Sequence, residues 1–259
     1  ITADVPLRVL SLGAGVQSST IALMMQHGQI PRPEFAVFAD TGAEPGAVYE
    51  WLTWLEHQLD FPVVRVMEKR GLTANIEAGG NGAHRWSSLP LWTSRGGKLN
   101  RQCTGDYKIA PIRREIQRRR AGRKVVMVMG ISEDEKRRVR EPDVQYIIRN
   151  EYPLIDLKMT RHDCLVWFIH NYSRVPPRSA CVYCPFRCDE EWEKMKLTAP
   201  DDWDEACRID ALIRCGMPGV KDPEAFIHRS LVPLTDIEWA SPTWEQTELW
   251  ADCEGLCGV

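Results

Sequence analysis

The sequence predicts an α/β fold, a Rossmann-like parallel sheet flanked by helices. Short apolar runs alternate with stretches of helical spacing, and the first apolar run ends in glycines that open a helix. This alternation is typical of parallel sheets with right-handed crossovers, and strands of this composition fit a sheet covered on both faces. With 259 residues, 44% of them hydrophobic and 27% charged, the chain has an ordinary globular composition.

The predicted elements succeed one another along the chain. Strands are predicted at residues 7–12, 34–39, 61–66 and 124–131, and helices at residues 20–26, 47–59, 108–120 and 161–171. Glycines interrupt any period over residues 70–104, which predicts a long loop near a site. We expect one domain over residues 1–190, including an irregular Cys-rich region at its end, and an acidic helical and extended C-terminal extension over residues 191–259.

Membrane insertion and a disulfide framework are both disfavoured. The longest apolar runs, such as Val125 to Met129, fall far short of the roughly 20 residues that a membrane span needs. The first residues resemble no leader sequence, and the cysteine count of nine is odd. The expectation is a cytoplasmic protein that uses its cysteines for metal or redox chemistry.

The net charge of −3 conceals an asymmetry. Residues 95–140 carry 15 Lys and Arg against 5 Asp and Glu, whereas residues 189–259 carry 6 against 17. A central basic band suits a phosphate-rich ligand, with tRNA or DNA among the candidates. The alternative is a solvated helix face, and both interpretations apply to the same seven residues: Arg113, Arg114, Arg118, Arg119, Arg120, Arg123 and Lys124.

A glycine turn, Gly13 to Thr20, connects the first strand to the first helix. Backbone N–H groups at such a turn bind phosphate with the help of the helix N-terminus. A dinucleotide fingerprint, a pyrophosphatase-type loop and a plain capped turn are the three interpretations. The hydroxyls of Ser18, Ser19 and Thr20 favour the pyrophosphatase-type loop.

This segment resembles the SGGxDS loop of the PP-loop ATP pyrophosphatase superfamily, and in particular of the PAPS reductase family in its iron–sulfur branch. Gly13, Ala14 and Gln17 depart from that motif, standing where it has Ser, Gly and Asp. Three further segments resemble family motifs in the family's order, and the resemblance covers residues 7–190. They are Asp40-Thr41-Gly42 for the DTG motif, Gly130 to Arg138 for the GIRxxESxxR stretch, and Pro153 to Asp156 for the PLxDW motif.

The resemblance implies a site for an adenine nucleotide, ATP with Mg²⁺. The implied nucleotide-binding residues are Gly13, Ala14, Gly15, Gln17, Ser18, Ser19, Asp40, Thr41, Gly42 and Gly130. Lys108, Arg113 and Arg138 are the expected anion-binding residues, because Lys and Arg suit phosphate and sulfate.

Cys181 and Cys184 form a C-x-x-C pair, whose thiolates can face one ion from a tight turn. The resemblance adds Cys103, which stands alone where the family has a Cys-Cys pair, and Cys188 is the nearest candidate in sequence for a fourth ligand. A [4Fe–4S] cluster is the first interpretation, with zinc and plain buried thiols as alternatives. The remaining upstream cysteines are expected to pack in the core: Cys164, Cys207 and Cys215.

The C-terminal tail contains Cys253 and Cys257. It partly resembles the tail of sulfonucleotide reductases, which implies that Cys257, or Cys253, is a catalytic nucleophile. A disulfide or a contribution to the metal site is the alternative for this pair.

Three functions remain open from sequence. The first is an enzyme that uses ATP and an iron–sulfur cluster for sulfur transfer, with a nucleic-acid base as candidate acceptor and a separate sulfur donor. The second is a PAPS or APS reductase that depends on a thioredoxin-type reductant. The third is a zinc-stabilised, non-catalytic nucleic-acid-binding protein. A homodimer is compatible with each of them.

Overall fold

The computed structural model describes residues 5–80, 89–215 and 222–239. Five parallel strands form its main sheet: β1 (Leu7–Ser11), β2 (Phe35–Asp40), β3 (Val63–Met67), β5 (Val125–Met129) and β6 (Ile147–Glu151). The strand order is β3-β2-β1-β5-β6. A separate antiparallel pair joins β4 (Trp92–Thr93) to β7 (Ala225–Phe226). The parallel sheet and its flanking helices confirm the predicted α/β fold.

Eight α-helices lie in the described ranges: α1 (Val16–Gln26), α2 (Gly46–Gln58), α3 (Gly71–Gly80), α4 (Ala110–Arg119), α5 (Pro153–Asp156), α6 (Arg161–Asn171), α7 (Asp189–Thr198) and α8 (Pro200–Ile213). A π-helical turn, Gly105–Ile109, leads into α4, and Glu133–Arg138 and Leu234–Asp236 are 3₁₀ turns. None of the helices in these ranges combines the length and the apolar composition needed to cross a bilayer.

Side chains of β1 alternate between two hydrophobic cores, one on each face of the sheet. Leu10 packs into the cluster formed with α1, α2 and α6. Leu7 and Val9 belong to the cluster on the other face, which includes Ile112 and Ile116 of α4. Burial on both faces explains why the strands are apolar at nearly every position.

A third hydrophobic cluster joins the segments that follow the strands to the C-terminal helices. It contains Leu72 from α3, Tyr183 from the Cys-rich segment, and Trp192 and Trp203 from α7 and α8. Residues on both sides of position 190 share this cluster. The division into units at 190 and 191 stays a prediction.

The long loop predicted over residues 70–104 is wrong for its first part, which is helix α3. Leu72 and Ile76 lie one helical turn apart and are fully buried, and that pair provides the packing that stabilises the helix. Gly71 adopts a φ of +72° where the helix begins, and Gly80 ends it. The glycines therefore mark the ends of the helix. Strand β6 was not predicted, because it lies at the sheet edge and its residues are only partly buried.

Candidate functional site

The crevice between the carboxyl ends of β1 and β5 is where the strand order of the sheet reverses. β2 and β3 lie on one side of β1, and β5 and β6 lie on the other. Open α/β sheets bind their ligands at such a switch point. The loop from Gly13 to Gly15 follows β1 directly, and Gly130 follows β5. Residues predicted from two separate motifs therefore meet at one crevice.

The loop after β1 is held in shape by its own hydrogen bonds. The Gly13 amide donates to Ser18 Oγ at 3.1 Å, and Ser18 Oγ donates to the Gly15 carbonyl at 3.4 Å. Ala14 adopts a φ of +57°, a backbone conformation that residues other than glycine rarely adopt. Gly15 caps α1 without a side-chain hydrogen bond. The first N–H groups of α1, which have no acceptor within the helix, thus suit a bound phosphate.

Gly130 lies directly against this loop. A Cβ placed on Gly130 would lie 2.9 Å from Ser18 N, 3.0 Å from Ser18 Cα and 3.1 Å from Ser18 Cβ. No side chain fits in that space, so glycine is required here by the close approach of the two backbones. Gly130, predicted as a nucleotide-site residue, thus packs against the loop at Ser18.

Gln17 and Arg138 are both tied to Glu135. Gln17 Nε2 donates to Glu135 Oε2 at 3.2 Å, and Arg138 Nη1 donates to Glu135 Oε1 at 2.6 Å. The Arg138 side chain is 15% exposed. The structure therefore brings Arg138 near the loop, as an anion-binding role requires, but its charge is balanced by a carboxylate.

Asp40 and Thr41, at the end of β2, have different neighbours. Asp40 Oδ1 accepts hydrogen bonds from the Gly42 amide at 2.8 Å and from the Tyr49 hydroxyl at 2.7 Å. Burial and the hydrogen bond to Asp40 raise the pKa of Tyr49 well above its ordinary value, so Tyr49 remains a neutral donor. Thr41 Oγ1 lies 3.5 Å from Cys181 Sγ. Asp40 fixes the turn, and Thr41 links it to the cysteines.

Three of the four predicted metal ligands line one cavity, beside Thr41. Cys103, Cys181 and Cys184 contribute to its wall. None of the seven cysteines in the described ranges forms a disulfide bond. No carboxylate or imidazole lines the cavity, and a set of thiols alone is the donor chemistry preferred by iron–sulfur clusters and zinc.

The thiols share the cavity without forming a ready-made metal site. Within the described residues, no group of three Cys, His, Asp or Glu side chains is arranged to hold an ion. Burial, and then the negative charge of Glu44, raise the pKa of Cys181 well above its usual range. The residue types therefore fit a thiolate-bound group, and metal binding would supply the energy to deprotonate the thiols.

Glu44, which is hydrogen-bonded to Thr41, forms a buried ion pair with Lys108. Glu44 Oε1 accepts a hydrogen bond from Thr41 Oγ1 at 3.1 Å and lies 3.4 Å from Lys108 Nζ. The Glu44 side chain is 0% exposed, and Lys108 also lines the cavity. Glu44 Oε2 is buried, and the described residues offer it no hydrogen-bond partner. Lys108 thus lines the cavity with its charge paired to Glu44, and its anion-binding role stays a prediction.

Ser179 connects the loop after β1 with the segment that carries Cys181 and Cys184. Its hydroxyl donates to the Gly13 carbonyl, and its Cβ lies 3.2 Å from the position that a Cβ on Gly15 would occupy. Cys181 follows two residues later. The segment from Ser179 to Cys184 therefore contacts the loop at one end and lines the cavity at the other.

Other predicted residues lie elsewhere. Cys188 is the N-cap of α7, where its side chain accepts from the Glu191 amide, and it is not part of the cavity wall. Arg113 forms an ion pair with Asp143. Cys215, expected in the core, is exposed, because it follows the end of α8, whereas Cys164 is fully buried as expected. Cys253 and Cys257 lie outside the described residues.

The central basic band is largely neutralised by carboxylates. Arg114 pairs with Glu68, Arg118 and Arg119 with Glu115, and Arg123 with Glu34. This arrangement favours the solvated helix face over a continuous phosphate-binding surface.

Sequence reasoning missed Ser179, Arg187 and the pairing of Glu44 with Lys108. Ser179 and Arg187 each lie within a few residues of the C-x-x-C pair, and that proximity was the available signal. Glu44 follows the DTG-like motif at the end of β2. Their roles depend on contacts between distant segments, which local patterns do not reveal.

No protein-family model matches the chain, and a search of curated proteins finds no match either. The solved structures that are similar to the chain include a reductase and a tRNA thiolase. Phosphoadenylyl-sulfate (PAPS) reductase from Candida auris, in a phosphate complex, is 13% identical, with 64% of this chain and 73% of that chain covered and a TM-score of 0.45. The U34-tRNA thiolase NcsA from Methanococcus maripaludis, with its [4Fe–4S] cluster, is 13% identical. The match covers 91% of this chain and 84% of that chain, with a TM-score of 0.40.

Proposed function

We propose that the chain is an enzyme that binds ATP at the loop after β1 and transfers sulfur at the adjacent thiol cavity. The observation that carries this proposal is the connection made by residues 179–184. Ser179 contacts Gly13 of the loop, and Cys181 lines the cavity beside Thr41. A phosphate-binding loop and a thiol cavity that share one segment are suited to two successive steps on one substrate.

In the first step, an oxygen of the acceptor attacks the α-phosphorus of ATP, and the bond to pyrophosphate breaks. The N–H groups at the start of α1 would hold the phosphates and stabilise the charge that develops on the departing pyrophosphate. Gly130 and the hydrogen bonds of Ser18 keep those donors in place. The loop's contribution is therefore electrostatic and positional.

In the second step, hydrosulfide supplied by a sulfur donor attacks the acceptor carbon that bears the adenylated oxygen, and AMP leaves. A C–O bond breaks, a C–S bond forms, and no net oxidation occurs. Cys103, Cys181 and Cys184 would hold the proposed [4Fe–4S] cluster, which when bound would supply a position for sulfide. Lys108, on the cavity wall, places a positive charge near the incoming anion.

We propose a nucleic-acid base as the acceptor. Phe186 and Arg101 line the cavity, with the Arg101 guanidinium 5.6 Å from the Phe186 ring centroid. Lys98, an exposed residue, has its ammonium 4.7 Å from the same ring. An aromatic ring with two cations suits a base and its phosphates. Salt-dependent tRNA binding that weakens in Phe186→Ala and Lys98→Ala tests this choice of acceptor.

The test of the proposed reaction is pyrophosphate release from ATP, measured with anaerobically purified protein and tRNA. Ser18→Ala removes the hydroxyl that closes the loop, and we expect it to lower the rate about a hundredfold, the loss typical when substrate-positioning groups are displaced. Ser173→Ala, at an exposed position, is the matched control. Equal rates in the two variants would contradict the proposal. Sulfite release from a sulfonucleotide that requires Cys257 would instead identify a reductase.

A further inference from the structure

Arg187 is a buried cation behind the C-x-x-C turn. It is 9% exposed, and its guanidinium carbon lies 5.6 Å from the centroid of the Trp192 ring. It forms no ion pair within the described residues: its side-chain hydrogen bonds go to backbone carbonyls, and the carboxylate of Asp202 acts on it only from a longer distance. An ionised group buried in this way is costly unless other groups compensate its charge.

The carbonyls that accept from Arg187 all belong to the turn that carries the thiols. Nε donates to Val182 O at 3.1 Å, and Nη2 donates to Ala180 O and to Cys181 O, each at 3.1 Å. The fork of the guanidinium thus spans the backbone on both sides of Cys181. A side chain with one donor atom could not reproduce this pattern.

The backbone of the same segment forms two successive turns that end at Arg187. The Cys184 amide donates to Cys181 O at 3.1 Å, and the Arg187 amide donates to Cys184 O at 3.1 Å. The Arg187 side chain then returns to the start of the segment. This closed arrangement fixes where Cys181 and Cys184 stand on the cavity wall, while Arg187 itself does not line the cavity.

The charges around the cavity are consistent with a negatively charged occupant. Lys108 on the wall is matched by Glu44, and Arg178 nearby is matched by Glu191. Arg187 forms no ion pair within the described residues, and the charge of Asp202 compensates it only in part. Thiolates bound to a metal carry the negative charge that would compensate it.

We propose that Arg187 is the positioning residue of the thiol site: it holds the turn that presents Cys181 and Cys184 to the cavity and favours a negatively charged, thiolate-bound group there. The inference rests on the thiol site of the proposed function. It adds a residue outside the cavity that controls how tightly that site binds.

The test is titration of the metal-free, reduced chain with Co²⁺ under anaerobic conditions, followed by the thiolate-to-cobalt absorption. Arg187→Met keeps the bulk and removes both the charge and the donors, and we expect the dissociation constant to rise about tenfold or more, as for other residues that support metal ligands. Arg187→Lys keeps the charge, and we expect a smaller rise. Arg208→Met is the control, because Arg208 lies on the surface and pairs with Glu205 and Glu77.

Circular dichroism and urea unfolding of the same variants separate positioning from simple stabilisation. A folded Arg187→Met variant that binds Co²⁺ within twofold of the wild-type constant overturns the inference, whatever its stability. If that variant does not fold, a folded Arg187→Lys variant with the wild-type constant overturns it. A wild-type chain without thiolate-to-cobalt absorption would refute the thiol site of the proposed function itself, and the inference with it.

Discussion

Replacing Gly130 with alanine tests the contact between β5 and the phosphate loop. The added methyl carbon would lie 2.9–3.1 Å from three atoms of Ser18, whereas carbon atoms pack without strain at about 3.5–4.0 Å. The overlap is therefore about 0.5 Å or more, and two of the three atoms are backbone atoms. To relieve this overlap, either the loop after β1 or the end of β5 must move.

Overpacking of this kind costs about 1–3 kcal/mol. If the strain remains in the folded state, urea unfolding will show that loss. If the loop moves, its N–H groups leave their positions, and the dissociation constant for ATP rises about tenfold for each 1.4 kcal/mol. Calorimetric ATP titration and urea unfolding of one preparation measure both parts.

Gly46→Ala is the matched control, since nothing lies within 4 Å of a Cβ at that position. As the first residue of α2, Gly46 should tolerate alanine with unchanged or slightly greater stability. A Gly130→Ala protein with wild-type ATP affinity and wild-type stability would show that the loop does not depend on glycine at position 130.

Two further predictions concern ion pairs. Lys108→Met removes the cation beside the fully buried Glu44 carboxylate, and we expect the free energy of unfolding in urea at neutral pH to fall by about 3 kcal/mol. The double variant Lys108→Met/Glu44→Gln should recover part of that loss. A loss below about 0.5 kcal/mol in Lys108→Met would show that the ion pair contributes little to stability. Hydrogen bonds from Arg118 and Arg119 lower the pKa of Glu115 from 4.5 to about 2, so its contribution to stability is complete above pH 4.5 and is lost as the pH falls towards 2. In Glu115→Gln, the midpoint of urea unfolding should decline less steeply as the pH falls from 4.5 towards 2. A decline as steep as that of the wild type would contradict this contribution of Glu115.

The fold and the turn after β1 were predictable because their signals are local. An apolar strand followed by Gly13 to Ser19 predicts a strand, a turn and a helix start, and the structure has them at β1 and α1. Helix α3 was not predicted, because glycines at both of its ends obscure its local pattern. The spacing of four residues between the buried Leu72 and Ile76 nevertheless indicates a helix face.

The charges of the basic band show what local patterns cannot predict. Counting residues identifies an excess of Arg and Lys, but Glu34 and Glu68, which neutralise Arg123 and Arg114, lie far away in sequence. The same limit applies to Arg187, whose burial and carbonyl partners depend on how the Cys-rich segment turns back on itself.

We propose that Cys103, Cys181 and Cys184 hold a metal–sulfur group beside the loop after β1. The most direct test determines iron, acid-labile sulfide and zinc, together with the visible spectrum, in protein purified without oxygen. We predict iron and sulfide in equal amounts, with the broad visible absorption of a [4Fe–4S] cluster that is lost in Cys181→Ser and retained in Cys215→Ser, whose cysteine is exposed and outside the cavity wall. A colourless protein that contains zinc and no iron would contradict the proposed iron–sulfur site.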